Sequence, residues 1–440
     1  MIFSLKKIRD HPEGLLVLFF TELWERFSYY GMRAILVLYL ISDKNERNPG
    51  FEWSNADAIY LYGWYTALVY IACIPGGIIG DKYLSYKESV VWGGGFLCLG
   101  HFSLAFNNEF FFFTGLFLII IGVGLLKPNI STLVGNLYKT NDIKRDQGFT
   151  IFYIGINIGA FLASIIVGYV GEIYGWHFGF SLAGFGMLLG QVIFISGKNK
   201  LIEVSKKKLV GGLFINSKKI KVSKIESDRI KLIFISSFVL IVFWASFEQA
   251  GGLLNIFAYQ KTDRYLDFLN FEFPASWFQS INPLLIILLG YGVSVFWISI
   301  QKQKVFVTSI FKIAIGIIIM GLGFIFMIFA SLEASMYGKS SMFWLIMAYF
   351  FFTIGELCAS PVVLSYITKL SPKKLTASIM GIYFAAIGLG NKLAGTIGQH
   401  SEKLGEKIIF VGITSICILT GLVIIILHKK LNNLSHGVDN

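Results

Sequence analysis

The sequence predicts an all-α membrane protein of twelve transmembrane helices in two six-helix bundles, and three observations predict it. Of its 440 residues 55% are hydrophobic and 16% aromatic, with a mean hydropathy of +0.67, above the apolar share of soluble domains. Apolar runs of 17 or more residues, enough to cross a bilayer, recur twelve times. A stretch of about 35 residues with 11 Lys or Arg, 197–231, holds no such run and separates six from six. The chain therefore reads as an N-terminal bundle (1–196), a cytoplasmic basic linker (197–231) and a C-terminal bundle with a short cytoplasmic tail (232–440).

The runs fall at 15–40, 59–79, 90–106, 110–138, 149–171, 178–196, 232–258, 283–300, 306–330, 342–367, 377–397 and 408–427. The first is the least ordinary, because Glu22, Glu25, Arg26 and Arg33 lie inside it. At the bilayer centre these four cost roughly 10–14 kcal/mol, against roughly 4–8 kcal/mol from the run's Leu, Ile, Val and Phe. The helix should not face lipid all round. At 100° per residue Glu22, Arg26, Tyr29 and Arg33 share one face, flanked by Glu25 and Tyr30, and such a face suits a water-filled bundle interior that handles an ion or a zwitterion. Ser54 and Asp57 open the second helix as a capping box. At its far end Gly76-Gly-Ile-Ile-Gly80-Asp81-Lys82 allows close helix approach, with Asp81 placed to accept from a neighbouring helix end; a plain turn is the other reading. The glycines of 115–124 read as helix contacts rather than a ligand loop.

In the fourth run Lys127 precedes Pro128, which frees a backbone carbonyl and favours a cavity-lining position. Glu248 in the seventh and Glu356 in the tenth run supply the second half's carboxylates. They pair either with the first half's Arg26, Arg33 and Lys127 as a changing contact or as static salt bridges. Lys392 lies near the end of the eleventh run and reads as snorkelling to the interface. The four cysteines lie in spans and suit packing rather than disulfides. His101 is the single histidine within a span, so histidine is a poor central proton carrier.

The net charge of +12 does not point to nucleic acid. With the N-terminus inside, 27 of 38 Lys and Arg fall on cytoplasmic segments and 7 on outer loops, which orients both termini to the cytoplasm. No cleavable signal peptide is expected, since the first run is too long and too charged. Two six-helix halves joined by a long cytoplasmic loop is the architecture of major facilitator transporters, with substrate at mid-membrane between the halves.

Five motifs carry a closer resemblance. They are Glu22-x-x-Glu25-Arg26-Phe-x-Tyr-Tyr30, Phe152-Tyr153-x-x-Ile-Asn157-x-Gly159-Ala160, Phe243-Trp244-Ala-x-x-Glu248-Gln249, Ala275-Ser-Trp277 through Asn282-Pro283, and Gly355-Glu356-Leu-x-x-Ser360-Pro361. Together they resemble the proton-dependent oligopeptide transporters of the major facilitator superfamily. The resemblance implies a proton-coupled importer of di- and tripeptides working by alternating access in the cytoplasmic (inner) membrane, functional as a monomer and without a cofactor. It implies proton coupling at Glu22, Glu25, Arg26, Lys127 and Glu356. Peptide contacts would come from Arg26, Tyr30, Tyr70, Lys127, Asn157, Asn282 and Glu356, and Arg33 with Glu248 would form a gate. A dipeptide always presents a cation and an anion, so a basic wall facing an acidic wall reads its backbone and ignores its side chains.

Departures from the pattern are Gly251-Gly252 after Glu248-Gln249, Lys392, and a linker too short for two extra helices. The main rival is a related facilitator of another small solute, an anion or a drug, although Glu356 would repel an anion. A membrane enzyme with metal-binding aspartates is not supported: Asp142 and Asp146 have Lys144 and Arg145 between them. No P-loop pattern supports ATP-driven transport.

Overall fold

The computed structural model describes residues 11–139, 142, 144–202, 223–302, 307–372 and 376–438. Among these residues twelve helices contain 18 or more residues. They are α1 (Gly14–Ile41), α2 (Asn55–Lys82), α3 (Tyr86–Ser103), α4 (Glu109–Asn136), α5 (Lys144–Ile173), α6 (Trp176–Gly197), α7 (Lys224–Phe247), α8 (Phe278–Lys302), α9 (Ser309–Tyr337), α10 (Met342–Leu370), α11 (Thr376–Gln399) and α12 (Glu406–Asn433). Most of the expected linker, residues 203–222, lies outside the described residues.

The chain divides into two compact units, Met1–Glu52 with Leu68–Gly211, and Trp53–Ala67 with Gly212–Asn440. The boundary falls inside α2, whose first half belongs to the second unit.

In the first unit α1 packs along α5 and α6, and α3 along α4 and α6. Small residues set these distances. A Cβ built on Gly93 of α3 would lie 2.8 Å from the Gly122 carbonyl of α4, and one on Gly100 2.9 Å from the Gly115 carbonyl. Backbone approach of this kind replaces hydrophobic drive between helices in lipid. Of the 28 residues of α1, 22 are buried, the four charged ones included, so the helix with the costliest sequence is the one withdrawn from lipid. The glycine motif in the last turns of α2 packs on α4: Asn129 Nδ2 donates to the Gly76 carbonyl at 3.2 Å. Asp81 accepts from the Tyr86 hydroxyl, in the first turn of α3, at 2.9 Å. The start of α3 is fixed by a capping box between Ser85 and Glu88.

In the second unit α9 lies against α10 and α12, α8 against α10, and α7 against α11. Gly316 of α9 and Gly355 of α10 meet as the α3–α4 glycines do, each at 2.7 Å from the other's carbonyl. A box between Ser223 and Glu226 starts α7. The single apolar run expected at 232–258 is broken: α7 ends at Phe247, Glu248–Ala250 form a 3-10 turn, and a short helix resumes over Leu253–Lys261. Gly251-Gly252 explains the break, since glycine weakens a helix by about 1 kcal/mol against alanine. Short strands follow, β1 (Thr262–Asp263), β2 (Tyr265–Leu266), β3 (Phe271–Glu272) and β4 (Ser340–Ser341), with β1 parallel to β4 and β2–β3 an antiparallel hairpin.

The first half of α2 is bound into this unit along α11. A Cβ on Gly395 would lie 2.6 Å from the Gly63 Cα, and Glu402 accepts from the Ala56 amide at 2.9 Å. Gly395→Ala should therefore destabilise the protein by about 1–3 kcal/mol through overpacking. Gly290→Ala, whose Cβ would meet Leu357 at an ordinary 3.7 Å, should leave stability unchanged or raise it. Thermal unfolding of the two purified variants checks this.

Candidate functional site

The first unit carries a buried ionic cluster built on one face of α1. Arg26 Nε lies 3.1 Å from Glu22 Oε1 and is also paired with Glu25 Oε2. The three side chains are at most 3% exposed. The Arg26 guanidinium sits 5.4 Å from the ring centre of Tyr29 and 5.9 Å from that of Tyr30, while Arg33 lies 4.7 Å from Tyr30. These contacts follow from the 100° spacing along α1, which stacks Glu22, Arg26 and Arg33 on one face. From α5 the Gly159 backbone closes against the Leu23 carbonyl and the Arg26 Cβ, leaving no room for a side chain or for lipid.

Arg26 and its two carboxylates sum to −1, and Arg33 and Lys127 of the same unit bring the formal total to +1. Glu22 Oε2 and Glu25 Oε1 are buried without a hydrogen-bond partner among the described residues, and a proton would meet that need. Lys127 enters from α4 and stands 3.9 Å from the ring centre of Tyr70 on α2. It lies within electrostatic range of Arg26, Tyr30 and Glu25, and of Glu22. Pro128 cannot donate, so the helix locally lacks a backbone bond. The next residue, Asn129, donates to the Leu125 carbonyl at 2.7 Å. Thus Glu22, Glu25, Arg26, Tyr30, Arg33, Tyr70 and Lys127 form one constellation. Asn157 is buried on α5, with its amide donating to the Tyr153 carbonyl at 2.9 Å, and no described hydrogen bond joins it to the ionic groups.

Among the described residues the second unit buries two carboxylates. Glu356 of α10 accepts from Asn282 Nδ2 of α8 at 2.8 Å, and the same amide reaches Thr353 Oγ1 at 3.1 Å. Thr353 is fixed in turn by donating to the Tyr349 carbonyl at 2.8 Å. Glu248 opens the 3-10 turn after α7 and accepts from the Tyr62 hydroxyl of α2 at 2.8 Å. Tyr62 is 1% exposed. Gly251 is what admits it, because a Cβ there would collide with the Tyr62 hydroxyl.

Sequence reasoning did not single out Tyr62 or Thr353. Their partners lie 186 residues away and 71 residues away, and the one trace in the sequence is the small residue at 251. The ring contacts of Lys392 were likewise not foreseen from the sequence. Its ammonium lies beside the rings of Tyr60 and Trp64, because aromatic faces attract cations.

If the α1 cluster is held together as described, Arg26→Ala leaves two buried carboxylates without their cation and should cost about 3–5 kcal/mol of stability. Adding Glu22→Gln and Glu25→Gln should restore most of it. Thermal midpoints of the single and triple variants would contradict the arrangement if the triple variant were the less stable.

Comparison with known proteins identifies the family. The pattern of the POT family matches residues 87–210 and 200–414. The chain is 34% identical to the peptide transporter YePEPT of Yersinia enterocolitica, over 89% of this chain and 88% of that one. It is 33% identical to a di-/tripeptide transporter of Lactococcus lactis subsp. cremoris, over 98% of each. The crystal structure of a peptide transporter POT in complex with sulfate superposes with a TM-score of 0.89 at 32% identity, covering 96% of both chains. A POT family transporter in complex with a thioalcohol-conjugated peptide gives a TM-score of 0.86 at 31% identity, over 96% and 97%. The fold is that of a major facilitator transporter, and the chain belongs to the POT family.

Proposed function

We propose that the protein is a proton-coupled importer of di- and tripeptides, lying in the cytoplasmic membrane with both termini in the cytoplasm. The observation that carries this reading is the polarity of the buried groups. The first unit offers Arg26 and Lys127 among aromatic rings, and the second offers Glu356 held by an amide. A peptide's carboxylate matches the former and its amino group the latter. Tyr30, Tyr70, Asn157 and Asn282 complete the peptide contacts, and Arg33 and Glu248 act as the gate. Relatives support the assignment: two are peptide transporters by name, and POT structures hold a peptide conjugate, alafosfalin and 5-aminolevulinic acid.

Charge counting supplies the coupling. Arg26, Arg33 and Lys127 against Glu22 and Glu25 give the first unit's cluster a formal charge of +1. A proton taken by either glutamate raises it to +2 and strengthens its attraction for a peptide carboxylate. Proton and peptide then favour each other's binding, as linkage requires. The proton gradient provides the energy, about 2.3 kcal/mol per charge per 100 mV of membrane potential and more from the pH difference.

Two outcomes follow. In proteoliposomes with an imposed inward proton gradient, labelled dipeptide should accumulate. Glu22→Gln or Glu25→Gln should abolish that accumulation while retaining peptide counterflow. Accumulation with wild-type pH dependence in both variants would refute the coupling assignment. Glu356→Ala should weaken binding of a free dipeptide by several kcal/mol, yet penalise an analogue lacking the amino group much less. Competition binding on folded protein decides this, and equal losses for both ligands would make Glu356 structural.

A further inference from the structure

One cation of the second unit has no role in the reading above. Lys392 Nζ lies 4.2 Å from the ring centre of Tyr60 and 4.7 Å from that of Trp64, one turn apart on α2. It donates to Thr396 Oγ1 at 2.9 Å. A helical side chain ordinarily leans toward its own N-terminus. The Lys392 stem instead reaches one turn toward the C-terminal end of α11, which is about 10 Å away at 1.5 Å per residue.

Ring faces attract the ammonium but do not cancel its charge. Its contacts are the two rings and Thr396, and no carboxylate pairs with it among the described residues. The nearby acidic groups toward the helix ends are otherwise engaged, Asp57 with Ser54 and Glu402 with the Ala56 amide. The Tyr60 hydroxyl and the Trp64 indole N–H make no hydrogen bond among the described residues, and the two side chains are 43% and 41% exposed. Beside them on α11, Leu389 and Leu393 are exposed as well. The surface thus combines an uncompensated cation, two unused donors and apolar flanks, close to a helix end. An uncompensated charge there calls for a counter-anion from outside the chain, and the apolar flanks favour one that carries acyl chains.

We propose that Lys392, Tyr60 and Trp64 form a binding site for the phosphate of an anionic lipid headgroup at the membrane face where α11 ends. The ammonium supplies the charge, the phenol and indole supply hydrogen bonds, and Leu389 and Leu393 receive the chains. The site is independent of the transported substrate, so its test does not depend on transport.

Native mass spectrometry of the purified full chain, titrated with phosphatidylglycerol, reads the occupancy directly. Wild type should retain one phosphatidylglycerol more tightly than phosphatidylcholine. Lys392→Gln should weaken that retention about fivefold, the scale of one basic side chain at an anionic membrane surface, and Lys392→Arg should restore it. Excess inorganic phosphate should leave the lipid bound; displacement by phosphate alone would identify a free-anion site and overturn the lipid assignment. Undiminished retention in Lys392→Gln would overturn the site altogether. Should that variant not fold, Trp64→Phe, which keeps a ring and removes only the indole N–H, carries the same comparison, with unchanged retention again the contrary result.

Discussion

The ion pairs of Arg26 with Glu22 and Glu25 are the interaction on which the rest of the first unit depends. Four ionisable groups cannot occupy a membrane helix unless the helix is enclosed and its charges are matched. Both conditions shape the surroundings. The α1 helix is withdrawn from lipid between α5 and α6, and Gly159 brings the α5 backbone against the charged turn. Tyr29 and Tyr30 then present ring faces to the guanidinium groups of Arg26 and Arg33. The enclosure that makes the cluster tolerable also makes one additional proton or one peptide carboxylate a large electrostatic event, because charges buried to this degree interact more strongly than exposed ones.

The second unit orients its two membrane-depth carboxylates with neutral donors. Glu356 is positioned by an amide and Glu248 by a phenol. Neutral donors of this kind fix the direction of a carboxylate by hydrogen bonding. For the proposed peptide, an amide-oriented Glu356 offers the amino group an acceptor whose direction is already set. The difference between a charge-matched cluster and an amide-held acid is the physical basis for assigning coupling to one unit and amine recognition to the other.

Much of this was legible in the sequence. The α1 face follows from fixed angular spacing, and the helices follow from runs long enough to span. The glycines of α3 and α4 announce close contacts in their composition. The remainder depends on distant residues meeting. An apolar run gives no sign of the 3-10 turn at Glu248, because hydropathy does not register that Gly251-Gly252 weakens the helix. Tyr62 looks like any helical tyrosine until its hydroxyl is seen lodged over Gly251 and against Glu248. Lys392 was read from its position alone, whereas its environment comes from Tyr60 and Trp64 of a helix more than 300 residues earlier. The first half of α2 belongs to the second unit for the same reason: its glycine contact and its cap are supplied by α11 and by Glu402.

The central claim is that proton and peptide bind to a linked set of buried charges. Its most direct test is the proton uptake that accompanies dipeptide binding to purified protein in weakly buffered solution, measured with a pH indicator across the range from mildly acidic to neutral. Linkage predicts that wild type removes protons from solution as peptide binds, and that Glu22→Gln combined with Glu25→Gln binds peptide without doing so. Saturable peptide binding by the wild type with no proton uptake anywhere in that range would contradict the account.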